Sequence, residues 1–164
     1  MTNVSLIGMP GSGKSYIGKR LSQRLGYALV ELDALMEKDF GQPLQHILNT
    51  LGERAFLDLQ EKDAILFTKN REKIVISPGG SIVYSENAMR HLKQISKVVY
   101  LKASLSTIEK RIGEVPRGIV GLGRKTLGAL YTERTALYEK WADYTLDAEA
   151  FAEDIVKAII KQWH

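Results

Sequence analysis

The chain has 164 residues, enough for one domain with a buried core, and its lack of cysteine removes disulfides, thiolate nucleophiles and cysteine metal sites from consideration. Its net charge of +4 comes from scattered Lys and Arg residues without a dense basic run, which argues against nucleic acid as a partner. No apolar stretch is long enough to span a bilayer and a strand candidate begins close to Met1, so the sequence predicts a cytoplasmic protein with no membrane partner and a single domain over residues 1–164.

The first element is a strand candidate at Val4–Ile7. It runs into Gly8-Met9-Pro10-Gly11-Ser12-Gly13-Lys14-Ser15, a full GxxxxGK[ST] phosphate loop. The backbone N–H groups of Gly11, Ser12 and Gly13 and the following helix N-terminus can converge on a polyphosphate, Lys14 adds a point charge, and the Ser15 hydroxyl can ligate a Mg²⁺ that bridges the outer phosphates. Tyr16 follows directly and joins the expected nucleotide site. Ile17, Leu21 and Leu25 then recur at helical spacing until Gly26 closes the helix. This is the strand, loop and helix context that the motif requires.

A second strand at Ala28–Leu32 ends beside Glu31 and Asp33, two carboxylates that can face a cleft, one toward the metal and one toward an acceptor hydroxyl. Asp33 is also a candidate N-cap for a helix at Ala34–Asp39. Pro43 can start a helix carrying Leu44, Ile47, Leu48 and Leu51, and the segment from Glu53 to Lys69 reads as helix with a less regular stripe. The third strand, Ile74–Ser77, is followed by Pro78-Gly79-Gly80-Ser81, where the two glycines permit a ligand to approach the backbone or mark an ordinary turn. The fourth strand is Val98–Leu101, and Ser104 can cap a helix with Leu105, Ile108 and Ile112.

Residues 113–125 are rich in glycine and carry Arg117, Arg124 and Lys125, a composition too flexible for core that predicts a mobile lid over phosphate. From Thr126 to Ala142 a helix places Leu127, Leu130, Tyr138 and Trp141 on one stripe with Arg134 in its middle, and an inward charge needs an anionic partner, structural or ligand. A fifth strand at Tyr144–Leu146 and a helix with Phe151, Ile155 and Ile159 complete the chain. His46, His91 and His164 lack ligand spacing and read as surface residues. Alternating strands and helices predict an α/β fold whose parallel sheet is covered on both faces, with ligands beyond the carboxyl ends of the strands.

In this order the landmarks resemble the shikimate kinases, small kinases of the nucleoside monophosphate kinase group of P-loop proteins. The resemblance rests on the phosphate loop, the acidic pair followed by Gly41, Gly52-Glu53-Arg54-Ala55-Phe56, Gly79-Gly80-Ser81-Ile82-Val83, Arg117, and Arg134 followed by Tyr138 and Ala142-Asp143. It implies a three-layer P-loop fold with five parallel strands in 2-3-1-4-5 order, a lid over about 113–125 and an acceptor-binding region over about 34–60. It implies transfer of the γ-phosphoryl of MgATP to a hydroxyl of a small molecule, shikimate first, by a monomer.

By the same resemblance Lys14 and Ser15 match the phosphate and Mg²⁺ positions, and Asp33 matches the carboxylate that orients the acceptor. Gly79, Gly80 and Arg134 match acceptor contacts, Arg117 the lid arginine, and Arg111 a base-stacking arginine. Leu57 and Gln60 stand where the family usually has Arg and Glu, Glu31 stands where it has Asp, and Ser81 replaces a third turn glycine. Two competing readings are a kinase of the same group with another small acceptor and a nucleotide-binding module without catalysis. No Asn-Lys-x-Asp motif supports a guanine-specific switch protein.

Overall fold

A computed structural model describes residues 3–113 and 117–162. The strands are β1 (Asn3–Ile7), β2 (Ala28–Glu31), β3 (Ile74–Ser77), β4 (Ser96–Lys102) and β5 (Tyr144–Asp147), all parallel, in the order β2-β3-β1-β4-β5. This is the expected sheet order. β1 and β3 are buried at every residue, as central strands covered on both faces must be, and the edge strands β2 and β5 are largely half-exposed.

The helices are α1 (Lys14–Leu25), α2 (Leu32–Phe40), α3 (Leu44–Leu51), α4 (Glu53–Thr68), α5 (Glu86–Ile95), α6 (Leu105–Ile112), α7 (Leu127–Trp141) and α8 (Ala152–Lys161), with a 3-10 turn at Gly80–Tyr84. α1 packs against α8, and α5 and α7 pack against β4. Gly26 ends α1 in the left-handed conformation, and Ser104 caps α6 by accepting from the Thr107 N–H, both as the sequence indicates. The sequence reading missed α5, although Ser85 accepts from the Ala88 N–H as its N-cap and Met89 and Leu92 form its buried stripe.

Three local expectations change. Leu32 begins α2 instead of ending β2, so Asp33 lies in the first helical turn and Glu31 takes the N-cap position. A carboxylate in that turn is favoured by the helix dipole, which lets Asp33 stay there without capping. Phe151, expected on the inner stripe of the last helix, is 84% exposed at its N-cap position. His91 is not a simple surface residue: the single proton of the Thr68 hydroxyl goes to the Ala64 carbonyl, so His91 Nε2–H donates to Thr68 at 2.8 Å. His46 is exposed as expected, and His164 lies outside the described residues.

The main core gathers around the sheet. A second apolar cluster of Met36, Ile47, Leu48, Phe56 and Val120 joins α2, α3 and α4 to the segment expected as a lid. Ile119 and Val120 are buried, so this part of the segment does supply core, contrary to its composition. Residues 114–116 of the expected lid lie outside the described residues.

Candidate active site

The phosphate loop joins β1 to α1 and opens into a cleft of about 990 Å³ at the carboxyl ends of the strands. Gly13 occupies the N-cap of α1 at φ 95°, a left-handed conformation natural to glycine, with no side chain capping the helix. The first N–H groups of α1 are therefore free to meet an anion. Ser12 Oγ is buried without a hydrogen-bond partner beside them. Lys14 Nζ bends back to donate to the carbonyls of Gly8 and Met9, both at 2.8 Å.

Gly11, Ser12, Gly13, Lys14, Ser15 and Tyr16 all line this cleft, as do Glu31, Asp33, Arg111 and Arg117. Arg111 Nη1 donates to the Gly11 carbonyl at 3.1 Å, which holds its guanidinium beside the loop. The exposed Tyr16 ring lies under the Arg20 guanidinium, 3.8 Å from its centroid. Phe151, which the sequence places in the pattern of the last helix, lines the same cleft. Among the described residues no three His, Cys, Asp or Glu side chains converge as a metal cage. The Ser15 hydroxyl and Glu31 carboxylate form a sparse oxygen donor set, suited to a Mg²⁺ whose other ligands are phosphate oxygens and water.

A smaller recess of about 60 Å³ adjoins the cleft. Gln60, Gly80, Ser81 and Arg134 line it, and Lys14, Asp33 and Arg117 border both spaces. Gly79 lines neither; it backs onto Asp33 so closely that a Cβ there would stand 2.6 Å from Asp33 Oδ1 and from Gln60 Nε2. Tyr138 braces the turn, its buried hydroxyl donating to the Gly80 carbonyl at 2.6 Å. Burial pushes the ionisation of that phenol upward, so it remains a donor.

Lys14 and Asp33 keep some surface toward the cleft, but the protein around them removes most of their water. Burial lowers Lys14 to about 8, partly opposed by the charge of Asp33 and reinforced by that of Arg134. Burial also raises Asp33, against the lowering effects of Lys14 and of hydrogen bonding from Gln60. Each residue's charge thus supports the other's in a site poised for an incoming polar ligand.

Arg134 is 1% exposed, in agreement with its place on the inner stripe of α7. Its Nη2 donates to the Val120 carbonyl at 2.7 Å and its Nε to the Tyr84 hydroxyl at 3.2 Å, and among the described residues it forms no ion pair. Leu57 packs into the apolar cluster with Phe56 and Val120 and lines neither space, and Arg54 is exposed and lines neither. The segment expected as a lid is fastened to the helices below it: Gly118 N–H donates to Gln45 Oε1 at 2.9 Å and Gly121 N–H to Glu53 Oε1 at 3.0 Å. Arg124 also pairs with Glu53 at 2.7 Å. The sequence marks Gln60 and Ser81 as departures from the family pattern and Glu53 and Tyr138 as parts of its motifs, without assigning them contacts, and it does not single out Gln45.

The family model described as shikimate kinase matches residues 10–164. A shikimate kinase of Thermodesulfovibrio yellowstonii is 32% identical over 167 aligned positions, covering 99% of this chain and 95% of that protein. The structure of shikimate kinase from Acinetobacter baumannii in complex with shikimate superposes with a TM-score of 0.90 at 25% identity, covering 99% of this chain and 93% of that one. Shikimate kinase from Aquifex aeolicus gives a TM-score of 0.84 at 27% identity, covering 98% and 95%. A family match over nearly the whole sequence, on a fold and phosphate loop of the same design, means that the chain belongs to the shikimate kinase family.

Proposed function

We propose that this protein transfers the γ-phosphoryl group of MgATP to a hydroxyl of shikimate. The observation that carries the reading is the junction formed by Lys14, Asp33 and Arg117, which border both the phosphate-loop cleft and the recess holding Arg134. A donor phosphate on the loop and an acceptor in the recess would meet at these three residues. Family membership, and a relative solved in complex with shikimate, support the choice of acceptor.

The chain's contribution is position and charge. The first turn of α1 and the Ser12 hydroxyl bind phosphate oxygens, and Lys14 exchanges its two loop carbonyls for them. Asp33 accepts the hydrogen bond of the acceptor hydroxyl and aims its oxygen at phosphorus, with a proton affinity already raised by burial. Arg134 holds the acceptor carboxylate, and Arg117 covers the transferred phosphoryl from the lid. Ser15, with Glu31 nearby, would hold a Mg²⁺, which when bound would supply charge neutralisation on the outer phosphates. We infer that the enzyme is a monomer and that it works in the cytoplasm.

The test is ADP release by purified protein with MgATP alone, then with shikimate, then with hydroxy acids, polyols, amino acids and nucleosides. Shikimate-dependent release is expected. Release with another acceptor alone would instead favour a kinase of the same group with a changed substrate, a reading to which Leu57 contributes because it places an apolar side chain where the family usually has Arg.

A further inference from the structure

Gln60 is a buried polar side chain, 5% exposed, on the face of α4 that meets the turn after β3. Its Oε1 accepts from the Ser81 hydroxyl at 2.6 Å, and Ser81 is itself 5% exposed. A primary amide has one acceptor end and one donor end, so once Ser81 occupies the oxygen the N–H₂ end is left for the other neighbour. That neighbour is Asp33, whose carboxyl group lies beside the amide and whose ionisation the amide favours. The amide nitrogen and Asp33 Oδ1 converge on Gly79, each 2.6 Å from where a Cβ would stand there, so the absence of a side chain on Gly79 lets the two groups meet. The opposite amide orientation would set two acceptors face to face in a buried site.

We propose that Gln60, locked in one orientation by Ser81, is a positioning residue that fixes the direction in which Asp33 presents its carboxylate to the acceptor hydroxyl. Three groups form a chain, from the Ser81 hydroxyl to the Gln60 amide to the Asp33 carboxylate, and only the last touches substrate. In the empty protein Asp33 Oδ1 is buried without a hydrogen-bond partner, and Asp33 lines the recess. A glutamate at this position, the residue usual in the family, has no donor to offer Asp33 at neutral pH and would place a second carboxylate beside it. Leu57, three residues earlier, supplies no cation to pair with it.

The inference rests on the kinase reading only for the task given to Asp33, and two arms separate the two. In the first, Gln60→Met, which keeps the bulk and removes the amide without burying a charge, should lower kcat with shikimate by roughly 10- to 150-fold, the loss expected for a hydrogen bond to a charged group, with KM for MgATP unchanged. Ser81→Ala should lower kcat less, and Ser81→Thr, which restores the hydroxyl, should recover it. Adding Ser81→Ala to Gln60→Met should cost nothing further. A kcat within 2-fold of wild type for Gln60→Met, or additive effects of the two changes, would overturn the proposal.

The second arm needs no turnover. In ¹⁵N–¹H spectra of the free protein the Gln60 side-chain amide, assigned by its loss in Gln60→Met, should give a downfield-shifted, slowly exchanging pair. That signature should collapse to ordinary glutamine values in Asp33→Ala and in Ser81→Ala. An ordinary amide pair in wild type would refute the chain of hydrogen bonds even if the enzyme phosphorylates shikimate well.

Discussion

The Nη2 of Arg134 donates to the carbonyl oxygen of Val120 at 2.7 Å, so a buried cation on α7 is bonded to a segment that lines the recess. A neutral carbonyl satisfies one donor of the guanidinium without cancelling its charge. An acceptor carboxylate is the stronger partner. Arg134→Lys keeps the charge and loses the planar fork, and should raise KM for shikimate roughly 10- to 150-fold with little change in KM for MgATP. ADP release measured against each substrate in turn checks this.

Lys14→Met should weaken MgATP binding by roughly 10- to 150-fold in calorimetry, the equivalent of about 1.5–3 kcal/mol for a charge-assisted contact. The same change should stabilise the empty protein at neutral pH. Lys14 sits at about 8 in the fold against 10.5 in the unfolded chain, so between those values the unfolded state binds more protons and stability rises with pH. Melting temperatures from pH 8 to 10 should therefore climb more in wild type than in the variant.

Asp33→Asn should retain MgATP binding and lose acceptor phosphorylation, because the amide keeps the size of the side chain and abandons the acceptor-only carboxylate. Parallel calorimetry and ADP release separate the two effects. Full activity in this variant would remove Asp33 from the mechanism.

Glu53 accepts from the Gly121 N–H and pairs with Arg124, two fastenings from one half-exposed side chain. The ion pair is exposed enough to contribute little, and the bond to the backbone, worth about 0.5–1.5 kcal/mol, should dominate. Glu53→Ala should therefore speed tryptic cleavage at Arg117, Arg124 and Lys125 by roughly 2- to 13-fold.

His91 is held below its usual range, first by burial and then by the charge of Lys69. The unfolded chain thus takes up protons that the folded one resists. Its contribution to stability is complete above pH 6.5 and is lost as the pH falls from there toward the depressed value. His91→Gln, which can still donate to Thr68, should show a flatter dependence of melting temperature between pH 7 and 5.

Features governed by local pattern were legible in the sequence. The phosphate loop dictated its own strand and helix, and Arg134 was recognised as inward because the apolar residues around it recur at helical spacing. Features that depend on contacts distant in sequence were not. Gln60 acquires its role from Ser81, 21 residues away, and Val120 becomes core only because α2, α3 and α4 lie beneath it. Phe151 has the right spacing for core, yet it stands at the start of α8, before the helical stripe turns inward, and faces the cleft instead.

The brace from Tyr138 to Gly80 spans 58 residues, and the guanidinium of Arg134 enters the recess from the same helix. During synthesis, α1 and the phosphate loop can fold once the first strands pair, but the acceptor turn has neither brace nor cation until α7 has left the ribosome. A ribosome-bound chain stalled before Thr126 would carry the nucleotide loop without an acceptor recess. The order of translation therefore delays the complete site until synthesis has passed Trp141, the last residue of α7.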